Sequence, residues 1–140
     1  SGVGRVMIAA GHFPLKKIIG VDVSSKLNDI CQNNINKMKH RLKCKNFENV
    51  TSNASDYQIP DEATVIYFFN PFGIEVMKDI FHSIFESVSR KPRKVIIVWY
   101  NPKYENELKQ LFRINKIKEI HWNNFGLFAS RCLFYEVSIS

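Results

Sequence analysis

A chain of 140 residues with 45% hydrophobic residues is long enough for one domain with a sizeable core, so we treat residues 1–140 as a single domain. No stretch approaches the roughly 20 apolar residues of a membrane span, and the short apolar run near the N-terminus is unlike a signal peptide. A net charge of +7 permits contact with nucleic acid or acidic substrates without demonstrating it. Composition therefore argues against a membrane protein and leaves the partner open.

The cysteines and histidines do not form a metal-binding or nucleophilic pattern. The three cysteines are widely spaced, which favours reduced thiols and a cytoplasmic location, and Cys31 falls on the apolar stripe of a predicted helix. The four histidines have no partner at helical spacing, so we predict no metal site. The residues concerned are Cys31, Cys44, Cys132, His12, His40, His82 and His121.

The basic residues gather in two clusters, which cover residues 37–45 and 90–94. Clusters of this kind are usually solvated helix ends and loops. Cations in the last turn of a helix also complement its dipole, so neither cluster requires a partner.

The N-terminal part of the chain predicts a glycine turn, a helix over Arg5–Ala10 and a buried strand over Lys17–Val23. Gly2 and Gly4 suit a tight turn whose backbone approaches a ligand closely, although a Ser-Gly start is also typical of a cloning remnant. Asp22 follows Gly4 by 18 positions, close to the ~20 expected between such a turn and an acidic residue that binds ribose. The alternative is that Asp22 caps the next helix, as Ser24 or Ser25 could equally do.

The next segment predicts one amphipathic helix over Lys26–Leu42 and a short strand over Asn49–Ala54. Asn53 and Asp56 lie at the carboxyl end of that strand, where an amide or carboxylate could bind the amino group of a base. A simple turn built from Asn, Ser and Asp explains them as well.

The segment from Val65 to Phe69 is an unbroken β-branched and aromatic run, which predicts a central strand covered on both faces. Asn70-Pro71 ends it, because proline has no N–H for a strand ladder. A polar side chain then stands at the carboxyl edge where open α/β sheets bind ligands. Further along, the pattern predicts a helix over 74–88, a strand over 95–100 and a short helix over 104–112.

The last section departs from strict alternation of strands and helices. Strands are predicted over Ile117–Trp122 and Cys132–Ile139, joined by a loop over Asn123–Arg131. Two strands joined so directly form an antiparallel hairpin. The order of elements therefore predicts an α/β fold: a Rossmann-like, mostly parallel sheet with helices on both faces and a C-terminal antiparallel hairpin.

This arrangement resembles the class I S-adenosylmethionine-dependent methyltransferases, in which the last strand inserts antiparallel to its neighbours. The resemblance covers nearly the whole chain and lacks only the first strand and its upstream helix. We accordingly expect residues before Ser1 in the natural protein, including a strand that ends in an acidic residue and glycine. Ser1–Arg5 is similar to the second half of the family's glycine loop, and Gly20–Ser24 is similar to its second motif.

The resemblance implies S-adenosylmethionine as cofactor and a role for each motif. Gly2 and Gly4 would let the backbone approach the methionine end, and Asp22 would bind the ribose. Asn53 or Asp56 would contact the adenine. Phe69–Gly73 is similar to the fourth motif, so Asn70 would face the methyl acceptor and Phe72 would stack beside it, although Phe72 could equally be a core ring.

The acceptor cannot be inferred from the fourth motif. Family members that methylate exocyclic amino groups of DNA or glutamine amides carry two prolines followed by an aromatic residue, whereas this chain has Pro71 and then Phe72. We therefore predict a methyltransferase with an unidentified acceptor. The alternatives are a dinucleotide-binding oxidoreductase domain, which the closing hairpin disfavours, and a non-catalytic fragment of the methyltransferase fold.

Overall fold

The computed structural model describes residues 1–69, 72–124 and 128–138. The chain divides into two compact units, Ser1–Tyr57 and Gln58–Ser140, each with its own sheet. In the described residues, no helix combines the length and apolar character that crossing a membrane requires.

The first unit is built around two parallel strands. Its elements are α1 (Arg5–Gly11), β1 (Ile18–Asp22), α2 (Ser25–Met38), a 3₁₀ turn (Lys39–Arg41) and β2 (Phe47–Thr51). In the ladder, Ile18 lies opposite Phe47 and Asp22 lies opposite Thr51. The core is small and is made by Met7, Cys31 and Ile35 with partly buried apolar neighbours. The carboxyl ends of both strands therefore meet at one edge, where Asp22 is placed.

Two of the predicted elements in this unit have the wrong limits. The helix predicted to run continuously to Leu42 ends at Met38, and a 3₁₀ turn follows it. Leu42 is nevertheless buried, because it packs inward from extended backbone and not from the helical stripe. The second strand begins at Phe47 and ends at Thr51, earlier than the predicted 49–54, because its pairing with β1 fixes its limits.

The second unit contains a four-stranded sheet with the order β3-β4-β6-β5. Its strands are β3 (Val65–Phe69), β4 (Val95–Tyr100), β5 (Asn115–Asn124) and β6 (Phe128–Val137), and its helices are α3 (Ile74–Arg90) and α4 (Glu105–Leu111). The pair β3–β4 is parallel, whereas β6 is antiparallel to both β4 and β5. The antiparallel hairpin predicted for the end of the chain is confirmed.

One face of this sheet carries the core. The helix predicted over 74–88 is confirmed, and it buries one apolar stripe made by Met77, Ile80, Phe81, Ile84 and Val88. From the sheet, Phe68 and Trp99 meet Phe81, with ring centroids 6.1 and 5.9 Å from that of Phe81. These apolar contacts hold α3 against one face of the sheet.

The expectation that Val65–Phe69 is covered on both faces is wrong. Val65, Tyr67 and Phe69 are 57%, 41% and 52% exposed, and only Phe68 is buried. Within the four-stranded sheet β3 is the edge strand and not a central one. An apolar run alone predicts a strand but does not identify what covers each of its faces.

The loop predicted between the last two strands is also shorter than expected. Residues 123–124 and 128–131 belong to β5 and β6, because the hairpin ladder continues through them, and 125–127 lie outside the described residues. The predicted fold class is confirmed: the chain is α/β, with parallel strand pairs and a closing antiparallel hairpin. Among the described residues, β1 and β3 each have a strand partner on one side only.

Candidate cofactor site

Asp22 is the last residue of β1, and its carboxylate fastens the N-terminal turn to that strand. Its Oδ2 accepts a hydrogen bond from the Gly2 N–H at 2.8 Å and lies 3.2 Å from the nitrogen of Ser1. Its Oδ1 accepts from the Ser24 N–H at 3.0 Å. The side chain is only 16% exposed. The carboxylate is therefore fixed in place: Oδ2 contacts the residues before α1, and Oδ1 contacts the residue before α2.

These contacts keep the carboxylate charged. Burial raises the pKa of Asp22, but the N–H groups of Ser24 and Gly2 and the nitrogen of Ser1 outweigh it, so the pKa lies below its usual value. Two ionised oxygens accept about four hydrogen bonds, and three are already used. Oδ1 thus retains room for one further donor, which suits one hydroxyl of a ribose diol.

The two glycines predicted to form a ligand-approaching turn have different roles. Both have left-handed backbone, with φ of 55° at Gly2 and 85° at Gly4. A Cβ on Gly4 would lie 2.6 Å from Cys31 Sγ, so this glycine allows close packing against α2. A Cβ on Gly2 would meet no atom within 4 Å. Space beside Asp22 is therefore open at Gly2, in the direction that a Cβ would take.

The alternative role of Asp22 as a helix cap does not describe this structure. Ser24 is the N-cap of α2, and its Oγ accepts from the Leu27 N–H at 3.3 Å. Asp22 contacts the Ser24 N–H from outside the helix, so its carboxylate is not needed to begin α2.

Two further residues at this edge escaped the sequence analysis. Val23 follows Asp22 and is 69% exposed, which presents an apolar surface beside the carboxylate. Asn28 is buried and joins three segments: its Nδ2 donates to Thr51 Oγ1 at 2.9 Å, and its Oδ1 lies 3.3 Å from Ser1 Oγ. A buried amide on the predicted inner face of an amphipathic helix was the available signal for Asn28.

Asn53 and Asp56 form the turn that follows β2. The Asp56 N–H donates to the Asn53 carbonyl at 3.2 Å, and the Asn53 Nδ2 donates to Asp56 Oδ2 at 3.1 Å. Both side chains are exposed. The turn expected from their composition is therefore present, and because Asp22 lies opposite Thr51 it follows the same carboxyl edge. Contact with adenine stays a prediction.

The predicted acceptor residues are only partly within the described residues. Asn70 lies outside them, so its convergence with Asp22 stays a prediction. Phe72 is half-buried just before α3, which begins after Gly73. The neighbouring end of β3 is aromatic, since Phe69 stacks on Tyr100 with ring centroids 5.2 Å apart.

The described residues contain no group of three His, Cys, Asp or Glu side chains that could hold a metal ion. All three cysteines are free and buried. Burial raises the pKa of the Cys31 thiol, which keeps it protonated and unsuited to act as a nucleophile.

The sequence matches no protein-family model, and comparison with curated protein sequences finds no match. Solved structures do match. Magnesium protoporphyrin IX methyltransferase (ChlM) from Synechocystis, determined with bound SAH, has a TM-score of 0.64 and 13% identity, over 98% of this chain and 70% of that one. StiE O-MT has a TM-score of 0.65 and 11% identity, over 98% of this chain and 65% of that one.

The chain has a class I methyltransferase fold. The methyltransferase fold is not confined to proteins named as methyltransferases. Precorrin 8W decarboxylase from Methanobacterium thermoautotrophicum aligns with a TM-score of 0.62 and 17% identity, over 96% of this chain and 76% of that one. At such identities the likeness describes the fold alone.

Proposed function

We propose that the chain is the core of an S-adenosylmethionine-dependent methyltransferase with an unidentified methyl acceptor, acting in the cytoplasm. The observation that carries the proposal is the pairing of Asp22 with the open backbone at Gly2, in a fold shared with a methyltransferase crystallised with SAH. An ionised carboxylate with a spare acceptor site lies beside a glycine where a side chain would block the approach of a ligand.

The residues of the first unit fit an adenosyl group. The free acceptor position on Asp22 Oδ1 would take one ribose hydroxyl, and a second hydroxyl would replace one of the existing donors. The exposed Val23 would cover one face of the adenine. Asn53 or Asp56 would accept from or donate to the base edge, and the backbone at Gly2 and Gly4 would approach the methionine end.

The acceptor side of the proposal rests on the fourth motif. The cofactor, when bound, supplies an electrophilic methyl group on a sulfonium. The protein then has to hold the acceptor in line with the methyl carbon, and orientation of this kind supplies much of a rate enhancement. We assign Asn70 to orient the acceptor through its amide oxygen and Phe72 to stack beside it. A dedicated base is unnecessary for an acceptor that is already nucleophilic.

The test is calorimetry of the full-length protein with S-adenosylhomocysteine and, separately, with NAD. We expect the former to bind and the latter not to bind. Asp22→Ala should weaken binding of S-adenosylhomocysteine by about 1–3 kcal/mol, because the lost hydrogen bond is to a charged group. The matched control is Asp29→Ala, which removes an exposed carboxylate from α2 in the same unit and should leave affinity unchanged.

Asp22→Ala also releases the N-terminal turn, so a second variant separates binding from folding. Gly2→Ala places a methyl group into the open space beside Asp22 without touching any other atom. It should weaken S-adenosylhomocysteine binding while the circular dichroism spectrum stays that of the parent protein. Equal affinity of Gly2→Ala, Asp29→Ala and the parent protein would contradict the proposed site, and binding of NAD instead would support the oxidoreductase alternative.

A further inference from the structure

The two basic clusters of the sequence differ in what their charges contact. In the second cluster every cation has a partner in the fold. Arg90 pairs with Asp61 at 2.9 Å, Lys91 with Glu62 at 3.1 Å and Lys94 with Glu136 at 3.4 Å. Arg93 donates to the carbonyl oxygens of Ala63, Ser87, Lys91 and Pro60 at 2.7–3.1 Å. That cluster is structural and holds the end of α3 to the preceding loop.

The first cluster has no ion-pair partners among the described residues. Its five members are exposed, and none forms an ion pair within the part of the chain that the structure describes. Among the described residues, the one hydrogen bond made by a charged group of the cluster runs from Lys45 Nζ to the Lys39 carbonyl. We define the 37–45 patch by these five residues: Lys37, Lys39, Arg41, Lys43 and Lys45.

Local structure forces these side chains outward. Leu42 and Cys44 are 2% and 1% exposed, and they anchor the segment to the first unit. The N–H groups of Lys43 and Cys44 both donate to the Gly11 carbonyl, at 2.8 and 3.0 Å. Burial alternates along the segment, so Arg41, Lys43 and Lys45 are exposed on either side of the buried Leu42 and Cys44. The patch is a cluster of exposed positive charge on a backbone that these contacts hold in place.

The net positive charge of the protein is unevenly distributed between the two units, and most of it lies in the first. Residues 1–57 carry nine Lys and Arg against four Asp and Glu, whereas residues 58–140 carry eleven against nine. The nearest acidic residues in sequence are Asp29 and Glu48, and Glu48 is already paired with Lys17. The excess charge of the protein is therefore concentrated in the unit that carries the patch.

We propose that the 37–45 patch binds the phosphate backbone of a nucleic acid. A cluster of unpaired cations complements a polyanion, and contacts with phosphates give affinity independent of base sequence. A membrane surface fits less well, because no large hydrophobic side chain in the segment is exposed and able to enter lipid. The patch begins in the last turn of α2 and continues beyond it, whereas Asp22 precedes the N-terminus of α2, so nucleic-acid binding is separate from the proposed cofactor site.

The test is fluorescence anisotropy with a labelled single-stranded RNA of about 20 nucleotides, titrated from about 50 to 200 mM salt. A DNA strand of the same sequence should bind within about threefold, because backbone contacts do not read the bases. The triple variant with Lys39, Arg41 and Lys43 changed to Gln should bind at least tenfold more weakly at low salt. Its log–log salt dependence should be shallower by about 2, as three lost phosphate contacts on a single strand require.

The matched control changes Lys109, Arg113 and Lys118 to Gln. These residues are exposed and form no ion pair within the described residues. Their replacement lowers the net charge by the same amount as the patch variant does. The control should retain parental affinity and salt dependence. Equal losses in both triple variants would overturn the proposal in favour of net charge alone. Patch-dependent binding of phosphatidylserine vesicles or polyglutamate without RNA binding would overturn it in favour of a membrane or an acidic protein.

Discussion

At the scale of single residues, the N-terminal turn shows that two glycines with the same sequence spacing have different physical reasons to be glycine. Gly4 has both left-handed backbone and a neighbour within contact distance, whereas Gly2 has left-handed backbone and empty surroundings. Spacing alone could not distinguish them. The distinction matters because only Gly2 leaves open space in the direction that a Cβ would take.

We expect Gly4→Ala to destabilise the protein more than Gly2→Ala. Both variants place a Cβ on left-handed backbone, at a cost of about 1–2 kcal/mol. Gly4→Ala additionally forces its methyl group against Cys31 Sγ, and overpacking costs a further ~1–3 kcal/mol. The shift in the urea unfolding midpoint measures the difference. Equal shifts for the two variants would mean that α2 moves away from the turn without cost.

Some residues of the candidate site could be predicted from the sequence, and others could not. Asp22 was predictable because it combined a strand end with the spacing from Gly4, and both signals are local. Three nitrogen donors already bind the Asp22 carboxylate. They belong to residues before and after Asp22 in the chain, and no sequence pattern predicts these hydrogen bonds. The position of Asn28 on the inner face of its helix was a signal, but its partners Ser1 and Thr51 are distant in sequence and could not be predicted.

At the scale of elements, the closing hairpin is held to α4 by one carboxylate. Glu105 lies in the first turn of α4, and its Oε1 accepts from the Tyr135 hydroxyl at 2.5 Å. Arg131 Nη2 lies 3.1 Å from its Oε2, and Lys116 Nζ lies 3.6 Å from Oε1. Burial of the ring, followed by the bond to Glu105, raises the pKa of Tyr135 above its usual value. The hydroxyl thus stabilises the fold in its protonated form.

We expect Tyr135→Phe to lower the free energy of unfolding by about 1–3 kcal/mol at neutral pH, because a hydrogen bond to a charged group is lost. The folded protein keeps this proton more tightly than the unfolded chain. The stabilisation is therefore fully present below pH ~10, where the unfolded tyrosine begins to ionise, and is lost as the pH rises further. The difference between parent and variant should shrink as the pH rises above about 10 in urea unfolding curves.

The control for that experiment is Tyr67→Phe, which removes the hydroxyl of a tyrosine that is 41% exposed in the same sheet. Its unfolding curve should match that of the parent protein at neutral pH. A difference between Tyr135→Phe and the parent protein that stays constant over the whole range would show that the phenol does not exchange its proton on unfolding.

Elements whose limits are set by local signals were predicted well, and elements whose limits are set by pairing were not. The observed strand Val95–Tyr100 has the same limits as the predicted one. It ends where Asn101 adopts left-handed backbone and Pro102 follows. By contrast, β5 and β6 extend through polar residues that have weak strand preference, because each added pair in an antiparallel ladder satisfies its backbone groups. Neither composition nor periodicity contains that information.

At the scale of the whole molecule, the order of elements was sufficient for the fold. A hairpin in the final position distinguishes this chain from a strictly alternating α/β protein, and the structure confirms it. What the order could not reveal is the environment of each face. The run Val65–Phe69 is equally apolar on both sides, yet one side packs on Phe81 and the other is exposed.

The exposed side of that sheet is a continuous apolar surface. Tyr67, Phe69 and Trp122 are 41%, 52% and 42% exposed. The Tyr100 ring lies between those of Phe69 and Trp122, with centroid distances of 5.2 Å to Phe69 and 5.9 Å to Trp122. Contiguous apolar surface on an edge strand favours association between molecules. We expect the parent protein to bind a hydrophobic fluorescent dye in its native state and to aggregate on warming.

Changing Tyr67 and Phe69 to Thr should reduce both effects without loss of stability, because threonine suits a strand and the buried Phe68 is untouched. The matched control changes Phe13 and Leu15 to Ser, which removes two apolar side chains that are 64% and 43% exposed in the first unit. Dye fluorescence and light scattering should fall for the first pair and not for the second. If neither pair changes them, the apolar face of the sheet is covered in solution, and the exposure of Tyr67 and Phe69 does not govern association.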